Sequence, residues 1–281
     1  MSQTSIESGY GSDNFINSSP NNFYIRKDAR KFERKYKVLD LIMQSANGVI
    51  YSGSCNQTGS EVVIKQIPRG NISGFKMIKN RLCPNEIYYQ LIANKTSENV
   101  VKVLDWFEKK SSFVIVMEKP ENSCDLFELI NEIGGINEDA AKIVVSFAVE
   151  YLEAGYIHRD IKDENILING ESLEIKMIDF GCASEFEDYY ENASGTVDYF
   201  PPEWFQYHQY KPDELTVWSI GCLLYNILMG DVAYKNGFCN RNFQAESELS
   251  TEGRNIINQL LEPNPNIRIP LQNILKHNWF L

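Results

Sequence analysis

The eight residues from His158 to Asn165, reading His-Arg-Asp-Ile-Lys-Asp-Glu-Asn, constrain this chain more than any other stretch. They set a carboxylate, an ammonium and an amide at fixed offsets in one short loop. Asp160 can accept the proton of an attacking hydroxyl, Lys162 can neutralise a phosphoryl group in transfer, and Asn165 can hold a metal ion. Fourteen residues beyond Asn165 stands Asp179-Phe180-Gly181, directly after the apolar run Ile175-Lys176-Met177-Ile178. That run reads as a strand feeding a second carboxylate into the same site. Any single Asp or Lys here would ordinarily be a solvated surface charge. The loop, the strand and the second carboxylate in this order point instead to phosphoryl transfer.

Upstream, Lys65 ends the apolar run Val62-Val63-Ile64, and Glu86 follows on a segment of helical period. A strand lysine can pair nucleotide phosphates, and a helix glutamate can hold it by an ion pair. Asp179 is the carboxylate best suited to Mg²⁺, which takes hard oxygen ligands and shares them with phosphates. Pro201-Pro202-Glu203 closes the segment after Asp179, and Glu203 is expected to pair with Arg268 as a structural ion pair. His158 is read as a packed, hydrogen-bonded residue, and His208 and His277 are read as structural.

The coarse pattern fits two lobes. Strands are expected over 36–43, 48–54, 61–67, 101–108 and 112–118, with a helix over 85–93 that Pro84 can start. From Asp125 onward helical periods dominate, with long apolar faces over 139–154 and 215–229. Residues 1–31, rich at the start in Ser, Asn and Gly, read as a disordered or flexible tail.

The formal net charge of -11 argues against a nucleic-acid partner and is compatible with attracting basic peptides. Six scattered cysteines without metal-ligand spacing read as free thiols of a reducing compartment. No apolar run is long enough to span a bilayer, and the first thirty residues lack a signal-peptide core. The expectation is an intracellular monomer, cytoplasmic or nuclear, away from membranes.

With these motifs in hand, the chain resembles a eukaryotic protein kinase over residues 32–281. The loop with Lys162 two residues after Asp160 is of the serine/threonine type. Four stretches resemble the Pim family of serine/threonine kinases: 118–127 (EKPENSCDLF), 158–169 (HRDIKDENILIN), 201–210 (PPEWFQYHQY) and 217–231 (VWSIGCLLYNILMGD).

The resemblance implies an α+β, bilobal fold with a β-rich N-lobe (32–118), a hinge (117–121) and a helical C-lobe (122–281). It implies ATP and Mg²⁺ as cofactors, with Asn165 and Asp179 holding the metal and Asp160, Lys162, Asn165, Lys65 and Glu86 carrying the chemistry. Met117 would guard the rear of the pocket, and the Glu118 carbonyl would receive the adenine amino group. Pro120 has no N–H, which removes one hinge hydrogen bond, about 1 kcal/mol. Ile42, Met43, Gly48, Ile50, Val63, Leu167 and Ile178 would line the nucleotide pocket. Protein substrates with upstream Arg or Lys are implied, met by Asp125, Glu128, Glu164 and Asp231, since carboxylates bind guanidinium with geometric specificity. Thr196 would steady Asp160 and Lys162 through its hydroxyl.

Two departures matter. The phosphate-covering loop of the family is glycine-rich, whereas Met43-Gln44-Ser45-Ala46-Asn47-Gly48 keeps only the third glycine. The Cβ at Ser45 and the bulk of Val63 are expected to weaken nucleotide binding by about 1–3 kcal/mol. Second, the segment 182–200 holds Glu185, Glu187, Asp188 and Glu191, where Arg159 would ordinarily meet a phosphate. These acids are expected to hold the loop active without phosphorylation. Cys182, beside the cleft, is read as a small packed residue or a reactive thiol. The alternative to an active kinase is a pseudokinase acting as a scaffold or binding module.

Overall fold

The computed structural model describes residues 20–45, 47–150 and 156–281. Helix α1 (Pro20–Lys35) leads into β1 (Tyr36–Ser45), β2 (Gly48–Cys55) and β3 (Glu61–Pro68). A hairpin of β4 (Phe75–Ile78) and β5 (Arg81–Pro84) then runs straight into α2 (Asn85–Thr96), followed by β6 (Val103–Glu108) and β7 (Ser112–Glu118). The sheet order is β1-β2-β3-β7-β6, with every pairing antiparallel.

Strand alternation divides this sheet into two apolar faces. Val62, Ile64, Val114 and Val116 pack with Phe32, Tyr36 and Phe107 on the outer face. Ile67, Phe113, Ile115 and Met117 pack with Ile87 of α2 on the other. A strand buried on both sides reads as a continuous apolar run, as Phe113-Val114-Ile115-Val116-Met117 does.

The outer face needs a cover, and α1 supplies it. Residues 20–31 therefore belong to a helix and not to a tail, while residues 1–19 of the expected tail lie outside the described residues. Phe32 meets Phe107 edge to face at 5.4 Å, Asp28 pairs with Arg81, and Lys35 and Tyr36 both reach Asp105. Each partner lies more than fifty residues away in sequence, so a local reading could not find it.

Beyond the hinge come β8 (Ser123–Asp125), α3 (Leu126–Ile133), α4 (Glu138–Glu150) and β9 (Tyr156–Ile157). Next are β10 (Ile166–Asn169), β11 (Ile175–Met177), β12 (Ser184–Glu185), α5 (Pro202–Tyr207) and α6 (Pro212–Met229). The chain closes with β13 (Tyr234–Lys235), β14 (Phe238–Cys239), α7 (Phe243–Glu246) and α8 (Thr251–Leu260). The architecture is α+β, a β-sheet N-lobe and a helical C-lobe.

Helix α6 is the axis of the helical lobe. Pro212 opens it, Gly230 ends it in the left-handed conformation, and fifteen of its 18 residues are buried. A helix apolar all round belongs in a core. Gly221 lets α8 approach, since a Cβ there would meet Leu260 and Leu261 within 3.0 Å. Arg268 and Glu203 form the expected pair, bidentate at 2.8 and 2.9 Å and almost fully buried. Among the described residues no helix is long and apolar enough to cross a membrane.

Candidate active site

Between the lobes, β3 and α2 deliver a buried cation to a carboxylate of the other lobe. Register puts Lys65 opposite Ile50 on one side and Ile115 on the other. Glu86 sits in the first turn of α2, and its Oε1 lies 2.7 Å from Lys65 Nζ. Asp179 Oδ1 lies 3.0 Å from the same nitrogen. Burial alone would lower the Lys65 pKa, but Glu86 and Asp179 outweigh it and hold the ammonium charged. Burial likewise pushes Asp179 upward, and Lys65 together with the Gly181 N–H reverses that, leaving its carboxyl below the usual range. Asp179 adopts φ 57°, a left-handed conformation uncommon for a residue with a side chain. Phe180 behind it is fully buried, its ring 5.1 Å from His158 and 6.2 Å from Tyr156.

Residues of the loop from His158 to Asn165 form a second cluster. Asp160 Oδ1 accepts from the Thr196 N–H at 2.9 Å and from its hydroxyl at 2.8 Å, while Oδ2 accepts from Asn165 Nδ2 at 3.1 Å. Lys162 Nζ stands 3.9 Å from Asp160 and is also paired with Glu164. Thr196 thus bonds Asp160, while the ion-pair partners of Lys162 are Asp160 and Glu164. Gly195 makes this approach possible, since at φ 112° a Cβ would collide with the Arg159 carbonyl. His158 is buried, and burial holds its imidazole below the usual range.

One supporting residue escaped the sequence reading. Asp163 is buried under the loop, where Tyr199 donates to Oδ1 and Asn226 of α6 donates to Oδ2, both at 2.9 Å. The loop is thereby anchored to the lobe axis. The available signal was an acid placed inside the loop and an Asn in the otherwise apolar α6.

Most of the residues expected to line a nucleotide pocket gather on the same sheet face as Lys65. Met43 faces Ile50, which faces Lys65; Val63 faces Met117; and Leu167 and Ile178 pack against this apolar cluster from below. Ile42 falls at a register irregularity in β1 and is 54% exposed. Gly48 is the glycine that contact demands, because a Cβ would come 2.6 Å from the Gln66 carbonyl. Ser45 accepts the Asn47 N–H at 3.2 Å within the turn. At the hinge, Glu118 turns its carboxylate back to Lys176 at 2.7 Å and to the Lys102 N–H at 3.1 Å.

The acids flanking the site are unequal. Asp125 caps α3 by accepting the Glu128 N–H, and both Asp231 oxygens are engaged, by the Val232 N–H and by Asn240. Glu128 is exposed, and Glu164 leans on Lys162. The acids after Cys182 do not gather on Arg159. Its guanidinium donates to the Cys182 carbonyl and to Asn192, both at 2.8 Å, and lies over the Tyr190 ring at 4.8 Å. Glu185 instead pairs with Lys76 of β4 at 2.6 Å, because β12 pairs with β9 and holds Glu185 on the side facing the hairpin. Burial pushes the Cys182 thiol up, which favours the packed reading.

Asn165 and Asp179 suit a hard cation. Asn165 spends its amide N–H on Asp160, and Asp179 spends Oδ1 on Lys65 and Gly181. The Oδ1 of Asn165 and the Oδ2 of Asp179 accept no hydrogen bond among the described residues. Two open carboxylate and amide oxygens are the ligand type that a hard cation such as Mg²⁺ takes.

A family model described as protein kinase domain matches residues 36–280. The chain belongs to the protein kinase family. This kinase is 35% identical over 266 residues to the serine/threonine-protein kinase pim-2 of Danio rerio, covering 89% of this chain and 86% of that one. It is 33% identical over 260 residues to prk-2 of Caenorhabditis elegans, covering 89% of this chain and 59% of the relative. It is 28% identical over 233 residues to serine/threonine-protein kinase 1 of African swine fever virus, covering 80% and 74%. The Pim resemblance of the sequence is therefore carried by the whole domain. The protein is an enzyme of the serine/threonine protein kinase family, whose members use ATP with a divalent metal and act on protein substrates.

Proposed function

We propose that this kinase transfers the γ-phosphoryl group of ATP to Ser or Thr hydroxyls of proteins bearing basic residues upstream of the target. The observation that carries the reading is the joint order of two clusters: Lys65 bound to Glu86 and Asp179, and Asp160 aimed by Thr196 and Asn165. Asp160, with both oxygens fixed, would receive the hydroxyl proton. Lys162, at 3.9 Å, would counter charge on the transferring group. Lys65 would hold the nucleotide phosphates, and Met43, Gly48, Ile50, Val63, Met117 and Leu167 would enclose the nucleotide. Asn165 and Asp179 would hold Mg²⁺, which supplies charge neutralisation when bound.

Among the acids, Glu128 is the better reader of substrate Arg, since Asp231 is engaged through both oxygens, Asp125 caps α3 and Glu164 pairs with Lys162. With the expected acids turned away from Arg159, activity without loop phosphorylation would rest on the bonds its guanidinium makes to the Cys182 carbonyl and Asn192. Incubation of the purified chain with Mg-ATP and an Arg-rich Ser/Thr peptide tests the reading. Incorporation abolished by Asp160→Asn with an unchanged melt supports catalysis, and retention after phosphatase treatment supports phosphate independence. No incorporation together with no Mg-ATP thermal shift would favour the scaffold reading prompted by the lost glycines.

A further inference from the structure

Helix α1 covers the outer face of the sheet, and the side it turns to solvent is basic. Arg30 and Arg34 stand two residues either side of Phe32, whose ring is buried against the sheet, so a helical period turns both outward. Both are exposed, as is Lys31. Lys31 Nζ lies 5.9 Å from the Phe107 ring centre, and Lys109 Nζ lies 4.2 Å from that of Phe32. Phe32 and Phe107 touch, so bases of α1 and of the β6–β7 turn adjoin, with exposed Lys110 next in that turn. The Asn56 amide donates to the Arg34 carbonyl at 3.0 Å and its backbone N–H to the Lys35 carbonyl at 2.8 Å, which fixes the last turn of α1.

The neighbouring acids are already taken. Asp28 pairs with Arg81, Asp105 with Lys35 and Glu108 with Arg69. Arg30, Lys31, Arg34, Lys109 and Lys110 form no ion pair among the described residues. Against these five bases, α1 offers only Glu33 among its described side chains. That is a local inversion in a chain with 38 acids against 27 bases. Apolar side chains adjoin it on the same sheet face. Val38 of β1 lies opposite Gly53, whose missing Cβ would meet Ile64, and Leu41 lies opposite Tyr51 of the outer cluster. Val38 is 40% and Leu41 56% exposed.

We propose that this outer face docks the protein on an anionic lipid surface. Five unpaired bases held on one rigid face suit phosphate and carboxylate headgroups, and the two exposed aliphatic side chains suit the headgroup–acyl boundary. A nucleic acid or an acidic peptide would use the bases and leave Val38 and Leu41 in water. Helix α2 packs on the opposite face of the sheet, through Ile87 against Ile115 and Met117. Docking therefore leaves the cleft at Lys65 open to a protein substrate, and the proposal does not depend on which residues that substrate carries.

Vesicle sedimentation with the full chain provides the test. The probes are sucrose-loaded vesicles of phosphatidylcholine alone and of phosphatidylcholine with phosphatidylserine. The chain should sediment with the second and not the first, and binding should fall as salt is raised. Arg30→Gln, Arg34→Gln and Lys110→Gln should each weaken binding about fivefold, and Leu41→Ser about two- to fivefold. The charge variants should melt with the wild type, since none of these side chains has an ion-pair partner to lose, and they should phosphorylate a peptide in solution at the wild-type rate. Equal sedimentation with both vesicles, or binding unchanged when Arg30→Gln and Arg34→Gln are combined, would overturn the proposal. So would tighter binding to a labelled single-stranded RNA or to a polyglutamate peptide than to the phosphatidylserine vesicles, because the face would then have a different occupant.

Discussion

Asn226 of α6 donates from Nδ2 to Oδ2 of Asp163 at 2.9 Å, in a pocket where both side chains are buried. The loop that carries Asp160 is thus tied to the central helix of the lobe by a neutral amide on a carboxyl group. Burial raises the Asp163 pKa, which the Tyr199 hydroxyl bond only partly offsets. Asn226→Leu removes one partner of a buried acceptor, a loss of about 1–3 kcal/mol. The melting temperature should drop by about 3–10 °C, with kcat falling more than KM for ATP. A melt identical to wild type would show that the loop takes its order elsewhere.

Lys76 and Glu185 join the hairpin that launches α2 to the segment after Phe180. The pair is largely solvated, so its effect should be small, about two- to fourfold in kcat/KM. Lys76→Glu and Glu185→Lys should each lower kcat/KM by such a factor. The double reversal should return most of it, and this double-mutant cycle is the deciding measurement. Additive losses would mean the two residues act separately.

Gly48→Ala should separate the phosphate cover from β3, because the new Cβ would sit 2.6 Å from the Gln66 carbonyl. KM for ATP should rise about three- to tenfold with a smaller change in kcat. Ser45→Gly should act in the opposite direction on nucleotide affinity by removing a Cβ from the loop. Isothermal titration with Mg-ATP reads both.

His277 makes the C-terminus sensitive to pH. Its Nδ1 accepts the Trp279 N–H at 3.1 Å and its Nε2 contacts Asn255 at 2.7 Å, and burial holds its pKa below the usual value against the opposing pull of Glu252. The unfolded chain therefore takes up the proton first. Stability is complete above about pH 7 and declines as pH falls through about 6.5. Buried His158 contributes in the same direction. His277→Gln should shrink the difference in melting temperature between about pH 7.5 and about pH 5.5. A difference as large as in the wild type would exclude His277 as a contributor.

Thiol reactivity should sort by burial. Burial lifts Cys83 to about 12 and raises Cys182, whereas a hydrogen bond from Thr58 lowers Cys55. Limited iodoacetamide labelling with mass spectrometry should mark Cys55 and exposed Cys239 first and spare Cys83, Cys182 and Cys222. Early labelling of Cys182 would restore the reactive-thiol reading.

The grouping of Lys65, Glu86 and Asp179, and of Asp160, Lys162 and Asn165, was legible because their residue types stand at fixed offsets in short motifs, and the sheet was legible because β-periods are local. The five strands expected between Tyr36 and Glu118 fall within two residues of their observed bounds. Helix α1 was not, since its cover role depends on Phe107, Arg81 and Asp105. Yet the doubly apolar runs at Val62-Val63-Ile64 and 113–117 implied that both sheet faces needed a cover. The β4–β5 hairpin stayed hidden because its strands are four residues each and its turn is Lys79-Asn80, without a glycine. Arg159 was misjudged because nearby acids were counted without the strand pairing that turns Glu185 away.

Phe180, sealed beneath Asp179, has a consequence for inhibitors if the proposed nucleotide pocket is correct. Truncating a fully buried phenylalanine costs about 3–5 kcal/mol, and a displaced ring that finds no comparable burial would be a minority of about 1% or less. An inhibitor that reaches behind the ring selects from that minority, and its apparent affinity is reduced by the same fraction. Compounds that leave the ring seated would meet no such handicap, so an inhibitor panel should divide along that line.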